Sequence, residues 1–221
     1  MNELDGSGGI LSFLNAWYGS PDRPVDTEIP GAERLPPALR EWYAVTSRYA
    51  RPILFNHKVF PADQVCEYEG LLVFCMDDFE YQEFGVAPGD GDLVVHNRVV
   101  SGDDPWEPHD EGLTLSQFLP ALLLHETVAA ARHTAAARGL TPDQFEFLLA
   151  PLRRLPGPEL FTAQYAGEGL LAIAWPSRDP EGSWAIELAA RTDGLLTYAE
   201  SVPGVKFGPG EWCPDSGDLT A

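Results

Sequence analysis

The sequence predicts an α+β fold, a mixed, largely antiparallel sheet flanked by helices, and three observations carry that prediction. Apolar residues recur at helical spacing near residues 10–18, 34–50 and 114–152. Two short apolar runs, GLLVFCM at 70–76 and GLLAIAW at 169–175, have the length of buried strands and are bounded by acidic or turn-forming text. The order is helices, strands, helices and strands again, with no internal repeat.

The first helix spans residues 10–18, with apolar positions at Ile10, Leu11, Phe13, Leu14, Trp17 and Tyr18 in a helical pattern, and Gly19-Ser20-Pro21 ends it. Proline-rich, charged text follows to Gly31. Residues 1–30 thus read as a helix-and-loop extension to a single domain of residues 31–221. In the second helix Pro37 fits the first turn, where its missing amide proton costs nothing. Leu39, Trp42 and Tyr43 form its core face, and Arg40 and Glu41 point outward.

After the 70–76 strand, Phe84-Gly85-Val86 and Leu93-Val94-Val95 are candidate strands separated by the turn sequence Pro88-Gly89-Asp90-Gly91. Thr114 and Gln117 have capping-box spacing ahead of a stripe of Phe118, Leu119, Leu122, Leu123 and Val128. Pro120 delays or kinks that helix. The alanine-rich residues 129–137 extend it towards Gly139 on propensity. The next helix has Thr141 as cap, Pro142 in its first turn, Gln144 three residues past the cap, and Phe145, Leu148, Leu149 and Leu152 on its apolar face; Pro151 leaves its end open. Strands at 169–175 and 183–190 are joined by a Pro/Ser/Asp/Gly connection. Leu195–Tyr198 is a short strand or helix.

A chain of 221 residues that is 44% apolar can bury a core without disulfides or metal. Cys66, Cys75 and Cys213 are odd in number and lack metal or redox spacing, which suits a reducing compartment, with Cys66 and Cys75 expected to fill space. The N-terminal apolar run has no basic region ahead of it, and no run approaches the roughly 20 apolar residues of a spanning helix. The expected residence is the cytoplasm, without membrane association.

The formal charge is −20, and its placement is uneven. Fourteen acidic residues lie between Asp63 and Glu111 against the single Arg98, which places 13 of the 20 net charges there. Such a field repels nucleic-acid phosphates and anionic lipid and attracts a basic partner. The plainer alternative is a soluble or halotolerant surface.

No nucleotide-binding, zinc-protease or nucleophile-elbow motif is present. On a continuous helix His125 and His133 would lie about 12 Å apart, too far to clamp one metal ion, and neighbouring His125 and Glu126 would face different ways. His96, Asp103, Asp104, His109 and Asp110 are the most enzyme-like assortment, but they lie in text broken by Gly and Pro. Asp90-Gly91-Asp92 lacks the further ligands of a calcium loop. No catalytic residue, metal or cofactor is assigned.

Several phrases, in order, resemble the SUKH superfamily between about Glu33 and Glu126. They are the helix phrase Leu35-Pro36-Pro37-Ala38-Leu39-Arg40-Glu41-Trp42-Tyr43, the strand Gly70-Leu71-Leu72-Val73-Phe74, and Phe84-Gly85-Val86 at the family's usual Trp-Gly-Val position. Asp103-Asp104-Pro105-Trp106 and Leu115-Ser116-Gln117-Phe118-Leu119 complete the series. Between Phe74 and Phe84 the chain departs from the family pattern, keeping only Glu80 and Gln82 of its usual polar phrase. The resemblance implies a SUKH-like α+β domain and an immunity protein that binds and neutralises a cognate toxin, often a nuclease. A regulatory interaction module and an undetected hydrolase are the alternatives.

Aromatic residues interleaved with charge are the composition of a protein interface. The candidate contacts for a basic protein, expected to be a toxin domain, are Asp77, Asp78, Glu80, Tyr81 and Glu83. Asp90 and Asp92 follow, and then Asp103, Asp104, Trp106 and Glu107. Phe84 and Trp106 could equally be core.

Overall fold

The computed structural model describes residues 9–24, 28–77, 81–100, 104–109, 112–155, 162–177 and 182–208. The architecture is α+β, with five α-helices and two antiparallel sheets among those residues. Helix α1 (Gly9–Tyr18) ends at Gly19, whose φ of 82° no β-carbon opposes. Helix α2 (Pro37–Thr46) starts on Pro37 and buries Leu39, Trp42 and Tyr43.

The first sheet contains β1 (His57–Val59), β2 (Cys66–Tyr68), β3 (Leu71–Asp77), β4 (Gln82–Val86), β5 (Val95–Val99) and β6 (Glu107–Pro108). Its order is β1-β3-β4-β5-β6, and β2 shares the β1 edge of β3. Glu69 and Gly70, with φ of 51° and 82°, form the two-residue turn from β2 into β3. A hairpin of this length favours left-handed residues, and a non-glycine residue there costs about 1–2 kcal/mol.

Helix α3 (Leu115–Ala130) carries the expected cap, with the Thr114 amide donating to Gln117 Oε1 at 3.1 Å. Pro120 lies inside the helix, near its start. Burial extends nearly all round α3 because it lies between the sheets. Phe118 meets Phe74 and Phe84 of the first sheet, with ring centroids 5.8 and 5.1 Å away. On the opposite side Gln164 Nε2 donates to the Ala121 carbonyl at 2.9 Å.

The second sheet has the order β7-β11-β10-β9-β8, made of β7 (His133–Leu140), β8 (Arg153–Arg154), β9 (Ala163–Gly167), β10 (Leu170–Pro176) and β11 (Trp184–Ala190). Alternation divides its side chains between two cores. Leu171, Ile173 and Ala189 join the core around α3, whereas Leu170, Ala172, Ala174, Ile186 and Leu188 face helix α4 (Pro142–Leu149) and α5 (Thr197–Glu200). The cap of α4 forms as expected, the Gln144 amide donating to Thr141 Oγ1 at 3.3 Å.

The alanine-rich segment after α3 departs from expectation. The helix ends at Ala130, Ala131 is extended, and residues 133–140 form β7 against β11. Alanine's helix preference is a fraction of a kcal/mol per residue, and the ladder with β11, together with the burial of Ala137 and Leu140, outweighs it. His133 is therefore a strand residue, not a helical neighbour of His125. Val94 makes only an isolated bridge, to Thr114, and β5 begins at Val95. The segment after β11 is helical, a 3₁₀ turn at Asp193–Leu196 leading into α5. Cys75 fills the core, but Cys66 is exposed on the edge strand β2, which corrects its expected burial.

Candidate partner-binding surface

Successive hairpin turns of an antiparallel sheet fall at opposite ends. The β3–β4 and β5–β6 connections, with Asp77, Tyr81 and Asp104, therefore lie at one end of the first sheet. The β4–β5 connection, with Asp90 and Asp92, lies at the other, about 16 Å away along a five-residue strand. The acidic segment does not gather into one patch. Asp78, Glu80 and Asp103 lie outside the described residues, as do Phe79, Asp110 and Glu111.

Three of the candidate carboxylates have work inside the fold. Asp77 Oδ1 accepts the Tyr81 and Gln82 amides at 2.7 and 3.2 Å and so closes the β3–β4 hairpin. Asp92 accepts the Ser116 amide at 3.1 Å and the Ser116 hydroxyl at 2.7 Å, at the N-terminus of α3. Partial desolvation opposes ionisation of Asp92, but these bonds and Thr114 outweigh it and hold its carboxyl below the usual range. Glu83 Oε2 accepts Nε and Nη2 of Arg98 at 2.9 and 2.7 Å.

Arg98 crosses the face of the first sheet turned away from α3. Its guanidinium lies 4.2 Å from the Tyr68 ring centroid and 4.8 Å from that of Trp106, and Nη1 is 3.8 Å from Glu69. Gly85 makes room for this layer, since a β-carbon there would stand 3.4 Å from Trp106 Cη2 and 3.2 Å from Leu71 Cβ. Phe84 on the other face is core, 0% exposed, and Trp106 is half-buried. Beside Arg98 a cleft of about 260 Å³ is lined by Phe60, Gln64, Cys66, Tyr68, Val73 and Glu83.

Exposed carboxylates remain at Asp90, Asp104 and Glu107, whose side chains have no hydrogen-bond or ion-pair partner among the described residues. Tyr81, 61% exposed, stands at the hairpin end, where its carbonyl accepts the Val100 amide at 2.8 Å. Glu107 pairs in register with Asn97, so it projects to the face opposite Trp106 and Arg98. Asp104 and Glu107 thus bracket Trp106 on the short segment leading into and through β6.

The histidines of the enzyme-like assortment do not converge. His96 turns towards the outer face, in register with Gly85 and Pro108, and its Nδ1 lies 3.2 Å from the Val94 carbonyl. His109 is buried between Phe84 and Phe118, at 5.3 and 5.8 Å. Among the described residues no group of three or more His, Cys, Asp or Glu is placed to hold a metal ion, and no helix is long and apolar enough to cross a membrane.

A polar constellation in the core was not anticipated. Glu126, 0% exposed, accepts the Phe55 and Asn56 amides, the latter at 2.8 Å, and lies 2.7 Å from His57 Nδ1. The Tyr18 and Thr127 hydroxyls, beside it, lie 3.1 Å from each other. A carboxylate that orients an imidazole could support acid–base chemistry in an open cleft. Here the His57 side chain is 7% exposed, and the pair ties α3 to the segment entering β1. Burial pushes the nearby Cys75 thiol well above its ordinary value and lowers that of His125. The sequence signal was present: Glu126 follows Phe118 and Leu122 at four-residue intervals, on the apolar stripe.

No family model, curated protein or solved structure matches the chain.

Proposed function

We propose that this chain is a cytoplasmic immunity-type protein that binds and neutralises a basic toxin domain, a nuclease foremost, by covering its substrate groove. The observation that carries this reading is that the exposed carboxylates Asp104 and Glu107 have no side-chain partner among the described residues and that the arginine of the same sheet is already engaged by Glu83, while exposed Asp90 adds to the field from the opposite end. A nuclease groove is basic because it must hold phosphates, so these carboxylates complement it and steer encounter. Exposed Tyr81 offers the aromatic contact that protein interfaces favour. The resemblance of residues 33–126 to SUKH immunity proteins points the same way.

The test is affinity capture from the producing organism's lysate at low and high salt, followed by an activity assay of whatever is retained. Salt-weakened capture of one basic protein, whose toxic activity stops on adding this chain, is the expected result. A housekeeping complex with no inhibited activity, or capture indifferent to salt, would sink the proposal.

A further inference from the structure

Arg98 looks at first like an exception to an acidic region, a stray cation that should weaken attraction for a basic partner. Its surroundings point elsewhere. The guanidinium is fixed by two bonds to Glu83 and lies against two aromatic rings, Tyr68 from β2 and Trp106 from the segment entering β6. Among the described residues the ladder of β6 is short, with His96–Pro108 and Asn97–Glu107 in register and the His109 amide donating to the Val95 carbonyl at 2.8 Å. That ladder begins at Glu107 and gives little hold on the residues ahead of it, in a segment whose Asp104, Pro105, Glu107 and Pro108 are all exposed. Trp106 is the half-buried residue among them, and it rests on Arg98 and Gly85.

We infer that Arg98 is a positioning residue for partner binding, holding Trp106 so that the flanking Asp104 and Glu107 are presented in a fixed geometry. It has this role only if those carboxylates meet a basic partner, as proposed above. Fixed carboxylates bind more tightly than mobile ones because their ordering entropy is already spent. The guanidinium itself is not offered to the partner: its Nε and Nη2 are taken by Glu83, and its plane faces aromatic rings.

Charge and position predict opposite signs for the same substitution. Arg98→Met removes a cation and releases Glu83, so electrostatics alone predicts tighter binding of a polycation. Loss of positioning predicts weaker binding. The probe is a deca-arginine peptide, titrated into isotopically labelled full-length protein at low salt and again at 0.3 M salt, with amide resonances reporting both fold and site.

The expected result is salt-sensitive binding by the wild type, a roughly 3- to 10-fold weaker affinity for Arg98→Met, and faster hydrogen exchange at the amides of Glu107 and His109. Arg98→Lys keeps the charge but not the planar fork, and it should recover less than half of the loss. Tyr68→Leu removes one wall of the stack without changing any charge. It should weaken binding in the same direction, and it keeps the test decisive if Arg98→Met fails to fold. Equal or tighter binding by Arg98→Met, or by Tyr68→Leu in its place, overturns the positioning role and leaves the partner-binding reading standing. Absence of salt-sensitive binding by the wild type overturns the acidic docking surface and the positioning role together.

Discussion

Replacing Glu126 with alanine is the most searching perturbation of this fold. The carboxylate is the shared acceptor of the Phe55 amide, the Asn56 amide and the His57 ring, and it is wholly buried. Each buried donor left unpaired costs about 1–3 kcal/mol. Phe55 is 49% exposed, so its amide can regain water and contributes least. The sum is about 3–5 kcal/mol. With a urea m-value of about 2–3 kcal/mol/M, the unfolding midpoint should fall by roughly 1–2 M at unchanged m. Glu126→Gln retains one acceptor oxygen and should lose about half as much. Replacing the pair together, Glu126→Leu with His57→Phe, should regain only the part lost at the His57 ring, because the Asn56 amide still lacks its acceptor. A loss below about 1 kcal/mol for Glu126→Ala would show that the 55–57 segment is satisfied by water and that the pair does not tie α3 to it.

Other expectations concern the surface and its pH response. Asp92→Asn should lower stability at neutral pH by about 0.5–1 kcal/mol, through weaker bonds to Ser116 and the lost charge at the start of α3. Because the folded Asp92 carboxyl sits below its ordinary value, that contribution is complete above about pH 3.9 and is lost as pH falls through the lower folded value. The wild-type and variant midpoints should therefore converge in strong acid. For His125, burial lowers the folded value below the ordinary one near 6.5, so protonation favours the unfolded chain and stability declines as pH drops below about 6.5. His125→Phe should remove up to one proton from that slope, measured as urea midpoint against pH. Gly85→Ala forces a β-carbon against Leu71 and Trp106 and should cost about 1–3 kcal/mol by thermal or urea unfolding.

Local signals carried most of the helices. The Thr114–Gln117 and Thr141–Gln144 spacings, Pro37 in its first turn and Gly19 past the first helix act within one or two turns, where few contacts compete. The long apolar runs at 70–76 and 169–175 were legible as strands because continuous burial over so few residues leaves little alternative. Residues 133–140 were not, because alanine has a helical preference of its own, and only a partner strand some fifty residues later overrides it. The candidate site was legible as a composition and not as a shape. Counting carboxylates between Asp63 and Glu111 could not show that Asp77 closes a hairpin, that Asp92 meets the start of α3, or that Glu83 is consumed by Arg98.

The sequence by itself determined the α+β class, the capped helices, the two strongest strands and the excess of negative charge, since each depends on residue type and short-range spacing. Tertiary structure alone decided that there are two sheets with α3 between them, that the acidic candidates divide between opposite ends of the first sheet, and that Glu126 and Arg98 sit in built environments. The physical reason is range: caps and periodicities are set by neighbours a turn apart, whereas strand partners, buried side-chain hydrogen bonds and ring stacks join residues such as His57 and Glu126 that only the completed packing brings together.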